Sequence, residues 1–410
     1  MKIPALIKRN VALFSLSQSF TGAGMQFSYG FGPLMVVSLT DSPALAGLSV
    51  GLVGVSRFLV AYPMGKITDA FGRKPGIYLG LSLALAGSLT LGFSMMQHSI
   101  AIFVAGLLMF GMGMNGAQQM RVAVTDMFPA SMRAQALGYL ALGSLLSLLL
   151  SPLMVKFADI LATSTGVDPL GLPWFFLPVL IIGGMAIVNL VKPDPKVIGM
   201  NLGDYWPEIP KGVAVEKKAP APFSARQLLA NPSIRLAIIS NCAATGNMSI
   251  VMVLTSLVLH EHGHSLIAIA ISHTFHSAGM FAFTIPLGKL ADRMGRSRIM
   301  FPGVFVSLIG ASLVAFTPTM ITVTIGTFLV GLGWAAANVA ATAFIADQVN
   351  TAERGRAIGV NDSFAGASTI FAAFVTGPLI GIAGLPATGV TAILLAVLPF
   401  ILRIVSGPMK

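Results

Sequence analysis

Apolar residues run along this chain in long blocks separated by short polar turns. The blocks predict helices over about 11–38, 43–65, 76–97, 100–125, 134–156 and 173–191. A second series follows over about 234–259, 266–288, 298–316, 320–345, 356–378 and 388–405. The blocks are about 20 residues long, the length that crosses a hydrocarbon core of ~30 Å as a helix. Between the two series lies the one long polar stretch, rich in Pro and Lys (Lys211 to Pro222). The expected organisation is residues 1–191 as one six-helix half, 192–231 as a linker, and 232–410 as a second half. An amphipathic piece is expected near Phe223 to Leu229.

Composition agrees with a membrane solvent. Hydrophobic residues make up 55% and charged residues 10%, against roughly 45–50% and 25% in soluble domains. The expected fold is all-α and polytopic, with twelve transmembrane helices. The first apolar block is too long for the core of a cleavable signal, so it is expected to be a span.

The net charge of +11 does not point to nucleic acid once its placement is considered. Of the 25 Lys and Arg, all but Arg57 and Lys156 fall in one alternating set of loops, in the termini, or at adjoining helix ends. That bias orients a membrane protein. It predicts a multi-pass protein of the cell's inner (plasma) membrane with both termini cytoplasmic. Cys242 is the only cysteine, so no intrachain disulfide can form.

One stretch is used twice. Pro63-Met-Gly-Lys-Ile-Thr-Asp-Ala-Phe-Gly-Arg-Lys74 returns as Pro286-Leu-Gly-Lys-Leu-Ala-Asp-Arg-Met-Gly-Arg-Ser297. The pattern is P-x-G-K-[I/L]-x-D-x-x-G-R, and 63 to 286 and 69 to 292 both give an offset of 223. Gly65 and Gly72, like Gly288 and Gly295, allow close packing and turn geometry. Asp69 and Asp292 can accept backbone N–H groups or sit near a helix N-terminus. Arg73 and Lys74 hold the loop on the cytoplasmic side.

With this pair of motifs the chain resembles the major facilitator superfamily of transporters, whose signature G-x-x-x-D-x-x-G-R-[R/K] follows the second helix of each half. The resemblance implies two pseudo-symmetric six-helix halves, a small-molecule substrate, alternating access and no cofactor. It also implies that Asp126 and Asp347, at the ends of helices 4 and 10, pair with Arg73 and Arg296 as a latch on the inner side. The competing reading of these acids is ordinary turn and cap chemistry.

The repeat extends into the spans. Gln18 maps to Asn241 and Asn115 to Asn338 at the same offset of 223, and Asp126 maps to Asp347 two residues short of it. In the resembled family helices 1, 4, 7 and 10 line the central cavity, and the matched amides fall on those helices. Candidate cavity residues are Gln18, Gln26 and Tyr29, on one helical face, with Asn115 and Gln119, Asn241 and Thr245, and Trp334 and Asn338. The alternative is interhelical hydrogen bonding that holds the bundle.

Arg57 lies eight residues before Gly65, hence about 12 Å from the inner end of its helix at 1.5 Å per residue. A charge at that depth is expensive and is read first as functional. Asp362 is its expected carboxylate partner. Asp362, His273 and His276 are the candidates to carry a coupling proton. His260, His262 and His264 form an outer loop that reads as a zinc site or a solvated turn; no metal is assigned.

Two patterns bear on the substrate. Leu107 stands where many relatives carry an Arg, four residues before Gly111-Met-Gly113. The antiporter pattern of helix 5 is reduced to Gly138, Ser147, Ser151 and Pro152, while Gly377-Pro-x-x-Gly381 stands in helix 11. No catalytic triad, phosphate loop or cofactor motif is present, so an enzyme is not expected. The expected activity is proton-coupled export of an amphipathic or drug-like compound by a monomer, with protons and the lipid bilayer as partners. The alternatives are transport of a small anion drawn by Arg57, and a non-transporting sensor or scaffold.

Overall fold

The computed structural model describes residues 2–129, 132–166, 168–209, 224–348 and 354–406. The Lys- and Pro-rich stretch 211–222 lies outside the described residues, as do the side chains of Asp69 and Asp292. Among the described residues every regular element is helical. Ten stretches there are long and apolar enough to cross a membrane.

The twelve predicted spans are all represented, but their ends differ. The first is divided into α1 (Ala5–Thr21), α2 (Ala23–Gly30) and α3 (Gly32–Thr40). Gly22, and Phe31 ahead of Gly32-Pro33, mark the divisions. α4 (Leu48–Phe71) and α5 (Arg73–Met96) are the second and third spans. The fourth is α6 (Ile100–Ala117) with α7 (Gln119–Asp126), and the fifth is α8 (Arg133–Thr165). α8 outruns its apolar block, so Asp159 is helical. α9 (Leu172–Asn189) is the sixth.

Two short helices, α10 (Pro195–Met200) and α11 (Leu202–Tyr205), begin the stretch expected as linker, and α12 (Ala225–Ala230) ends it. The second half continues with α13 (Pro232–Glu261), α14 (Leu266–Ala282), α15 (Thr284–Met294), α16 (Ser297–Phe316) and α17 (Met320–Asp347). α18 (Arg354–Ser406) carries the last two spans, turning at Gly384, whose φ of 75° interrupts the helix.

The chain packs as two compact units. The first comprises residues 1–28 and 55–216. Its core includes the fully buried Trp174 of α9, edge-on to Phe27 and Phe110 at 6.1 and 5.2 Å. α5 and α6 approach closely because Gly80 lacks a side chain: a Cβ there would stand 2.6 Å from Ala117 N. The start of the linker docks on this unit. Trp206 is fully buried, and its indole N–H donates to Met127 O at 3.0 Å.

The second unit comprises residues 29–54 and 217–410. α13 is buried around almost its whole circumference, polar residues such as Asn241 and Asn247 included. Leu236, Ile238, Phe301, Ala340 and Ile345 form part of the core around it. α16 and α17 repeat the close approach of α5 and α6. A Cβ on Gly303, which is Gly80 plus 223, would stand 2.6 Å from Ala336 Cβ. Residues 29–54 join this unit through two glycines: a Cβ on Gly377 would strike the Ala44 carbonyl, and one on Gly47 the Ala373 carbonyl.

Candidate functional site

The repeated motif builds the same corner in each unit. α4 and α15 run through the motif instead of stopping at Gly65 and Gly288, and end at Phe71 and Met294. The turn is made by Gly72 at φ 107° and Gly295 at φ 99°, a region that strains any residue with a Cβ. The chain then enters α5 or α16, carrying its arginine to the end of the fourth helix of the repeat. Arg73 Nε donates to Asp126 Oδ2 at 2.7 Å, and Arg296 Nε donates to Asp347 Oδ2 at 3.1 Å. The first pair is the more sheltered, with side chains 13% and 25% exposed against 22% and 54%.

Asp194, a residue that sequence reasoning passed over, caps the first corner. Its Oδ1 accepts from Arg73 N at 3.1 Å and from Lys196 N at 2.9 Å, and its Oδ2 accepts from Lys74 N at 3.0 Å. One carboxylate thus serves the N-termini of both α5 and α10, where backbone N–H groups lack helical partners. The Asp-Pro at the start of α10 was the available signal.

The matched amides do not play matched parts. In the second unit Asn338 Nδ2 donates to Asn241 Oδ1 at 3.0 Å. Trp334, four residues before Asn338 on α17, donates from Nε1 to Oγ1 of Thr245, four residues after Asn241 on α13, at 3.1 Å. The two bonds form rungs between α13 and α17. Asn241 is fully buried and Thr245 is 8% exposed, whereas Trp334 and Asn338 are half-buried. The α17 ends of the rungs therefore keep open surface.

In the first unit Asn115 Nδ2 donates to Gly111 O of its own helix at 2.8 Å. Gln18 is half-buried, Gln26 is buried, and Tyr29 falls just across the unit boundary. Gln119 Oε1 accepts from Thr68 Oγ1 at 3.4 Å, a link between α7 and the motif helix.

The ionisable candidates lie on three helices. Arg57 is exposed on α4, in the first unit. Asp362 is half-buried on α18, in the second, and its Oδ1 accepts from Asn361 Nδ2 at 3.3 Å. Asn361 is fully buried and was not singled out from the sequence. His273 and His276 are both buried. His276 Nδ1 donates to Thr327 O at 2.9 Å. Ser256 Oγ donates to Gly30 O at 2.8 Å, so His273 Nε2 is the donor in its 2.9 Å bond to Ser256 Oγ. His273 Nδ1 has no partner among the described residues. In the outer loop His262 Nδ1 bonds Val258 O at 2.8 Å, and among the described residues no three potential ligands gather as a metal site.

Comparison with known proteins fits this architecture. The Major Facilitator Superfamily model matches residues 14–239 and 236–408. The chain is 26% identical over 368 residues to the uncharacterized MFS-type transporter YdeG of Bacillus subtilis, covering 88% of this chain and 83% of that protein. It is 25% identical over 395 residues to the riboflavin transporter RfnT of Brucella anthropi, covering 92% and 90%. It is 27% identical over 386 residues to the multidrug resistance protein MdtG of Enterobacter lignolyticus, covering 91% and 85%. The solved nucleoside transporter NupG shares the fold at a TM-score of 0.70 and 13% identity, with 98% of each chain covered. The chain is thus a multi-pass membrane protein and belongs to the Major Facilitator Superfamily of transporters.

Proposed function

We propose that the protein carries a planar, amphipathic aromatic solute across the plasma membrane by alternating access, exporting it in exchange for protons. The observation that carries this reading is the pair of rungs between α13 and α17. Trp334 offers a half-buried aromatic surface, and Asn338, one turn on, offers a half-buried amide. An aromatic platform beside a polar edge group suits a ring system with hydrogen-bonding substituents. The relatives named for riboflavin and for multidrug resistance support the same solute class.

Asp362 is our choice for the coupling proton. It is half-buried and reachable, whereas His273 and His276 are enclosed and hydrogen-bonded. In this reading both termini are cytoplasmic and the carrier acts as a monomer. A second reading, transport of a small organic anion, rests on Arg57, a cation exposed within a membrane span.

Proteoliposomes with an imposed pH step test this. Riboflavin should move against the direction of the protons. Movement with the protons would make the carrier a symporter. No riboflavin movement, with benzoate transported instead, would replace this reading with the Arg57 reading.

A further inference from the structure

Asp362 ends a chain of side-chain amides that crosses three helices. Asn338 Nδ2 donates to Asn241 Oδ1 at 3.0 Å, Asn241 Nδ2 donates to Asn361 Oδ1 at 3.2 Å, and Asn361 Nδ2 donates to Asp362 Oδ1 at 3.3 Å. The two middle members, Asn241 and Asn361, are fully buried. The two ends, Asn338 and Asp362, are half-buried.

Every link runs the same way, and the Asp362 end supplies the reason. An ionised carboxylate accepts hydrogen bonds and cannot donate them. Asn361 must therefore turn its NH2 toward Asp362, which leaves its oxygen for Asn241. Asn241 must then turn its NH2 toward Asn361, which leaves its own oxygen for Asn338. Reversing any one buried amide would face donor to donor or oxygen to oxygen, at about 1–3 kcal/mol for each unsatisfied buried group. The order passes down the ladder, so Asn338 turns its NH2 inward and keeps Oδ1 out of the ladder, at the half-exposed end. Four residues earlier on α17, the indole N–H of Trp334 is occupied by Thr245. The open face thus presents an aromatic ring without its donor and an amide oxygen.

We infer that Asn361 and Asp362 are positioning residues for solute recognition: through the amide ladder they hold Asn338 with its oxygen toward the solute, which selects planar ring systems bearing an N–H at the edge. The inference rests on the planar-solute reading above. Neither positioning residue touches the solute. A neutral amide at position 362 can donate as well as accept, so the ladder would lose its imposed direction and Asn338 could present either edge.

Riboflavin and N3-methylriboflavin are the probes, since they differ in one ring N–H. Binding is measured by calorimetry on the full-length protein in detergent. The wild type should prefer riboflavin by at least about fivefold, the loss expected when one polar partner goes unmatched. Asp362→Asn and Asn361→Leu should bring the ratio to about one, and Asp362→Glu should restore it. A merely structural role would weaken both ligands equally and leave the ratio unchanged, which overturns the inference.

A ligand-free arm uses melting temperatures of Asn338→Leu, Asp362→Leu and the double variant. Non-additive shifts are expected, because the ladder links two residues that share no direct bond. Additive shifts overturn the ladder whether or not a flavin binds. Coupled melting in a wild type that binds neither flavin overturns the solute class and leaves the ladder standing.

Discussion

Arg73 and Asp126 meet at 2.7 Å between the start of α5 and the end of α7. Arg296 and Asp347 repeat the contact at 3.1 Å between α16 and α17. The pairs join the motif turn to the end of the fourth helix of each repeat. Each is partly exposed, so its direct contribution to stability is small, about 1 kcal/mol or less. We propose that this contact, present in both halves, serves as a gate.

The first prediction follows from that pair. Arg73→Ala should melt within a few degrees of wild type yet transport several-fold more slowly. A cysteine introduced at the exposed Ala70 should react faster with a membrane-impermeant maleimide in this variant. Unaltered labelling together with full transport would exclude a gating role.

Asp194 should matter more to folding than its place in a linker suggests. It accepts from three backbone N–H groups, those of Arg73, Lys74 and Lys196. Removing a helix cap typically destabilises by about 0.5–2 kcal/mol. Asp194→Ala should lower the melting temperature and increase proteolysis at the start of α5, and Asp194→Asn should do so less. Equal melting of all three proteins would show that the cap contributes nothing.

Gly377 should resist even the smallest substitution. A Cβ there would strike the Ala44 carbonyl, so Gly377→Ala must push residues 29–54 away from α18. Overpacking of this kind typically destabilises by about 1–3 kcal/mol. Gly366→Ala on the same helix meets nothing within 4 Å and is the control. The pair should separate clearly in thermal melting, with only Gly377→Ala lowering the transition. Indistinguishable transitions would show that the contact is not tight.

Coupling can be assigned by three parallel variants. Asp362→Asn should abolish transport driven by a pH step while exchange at equal pH stays measurable, with reduced discrimination between solutes. His273→Gln and His276→Gln should keep the response to the pH step. If Asp362→Asn keeps it and one His variant loses it, the proton belongs to that histidine. If all three keep it, the coupling model is wrong.

The spans and the paired corner were legible in the sequence because each depends on local chemistry, whereas the compact units divide the chain otherwise than expected, with residues 29–54 packed in the second. Apolar length sets a membrane helix, and a glycine ahead of an arginine sets a turn whatever lies beyond it. The partners Arg73–Asp126 and Arg296–Asp347 were expected from the family resemblance that the repeated motif carries. Asp194 was hidden because it caps a helix starting 121 residues earlier in the chain, from a stretch that reads as linker.

The amides show most clearly what only the tertiary structure decided. By sequence Gln18 and Asn115 are the equivalents of Asn241 and Asn338, yet Asn115 bonds its own helix while Asn338 joins a ladder. A hydrogen bond forms only within about 3 Å and near-linear geometry, so helix rotation and register choose among partners that share the same spacing. Asn361 enters the ladder because α18 brings it to Asn241, 120 residues away. No periodicity records that meeting. The residue types were written along the chain, and the packing of three helices brought their side chains within hydrogen-bonding distance.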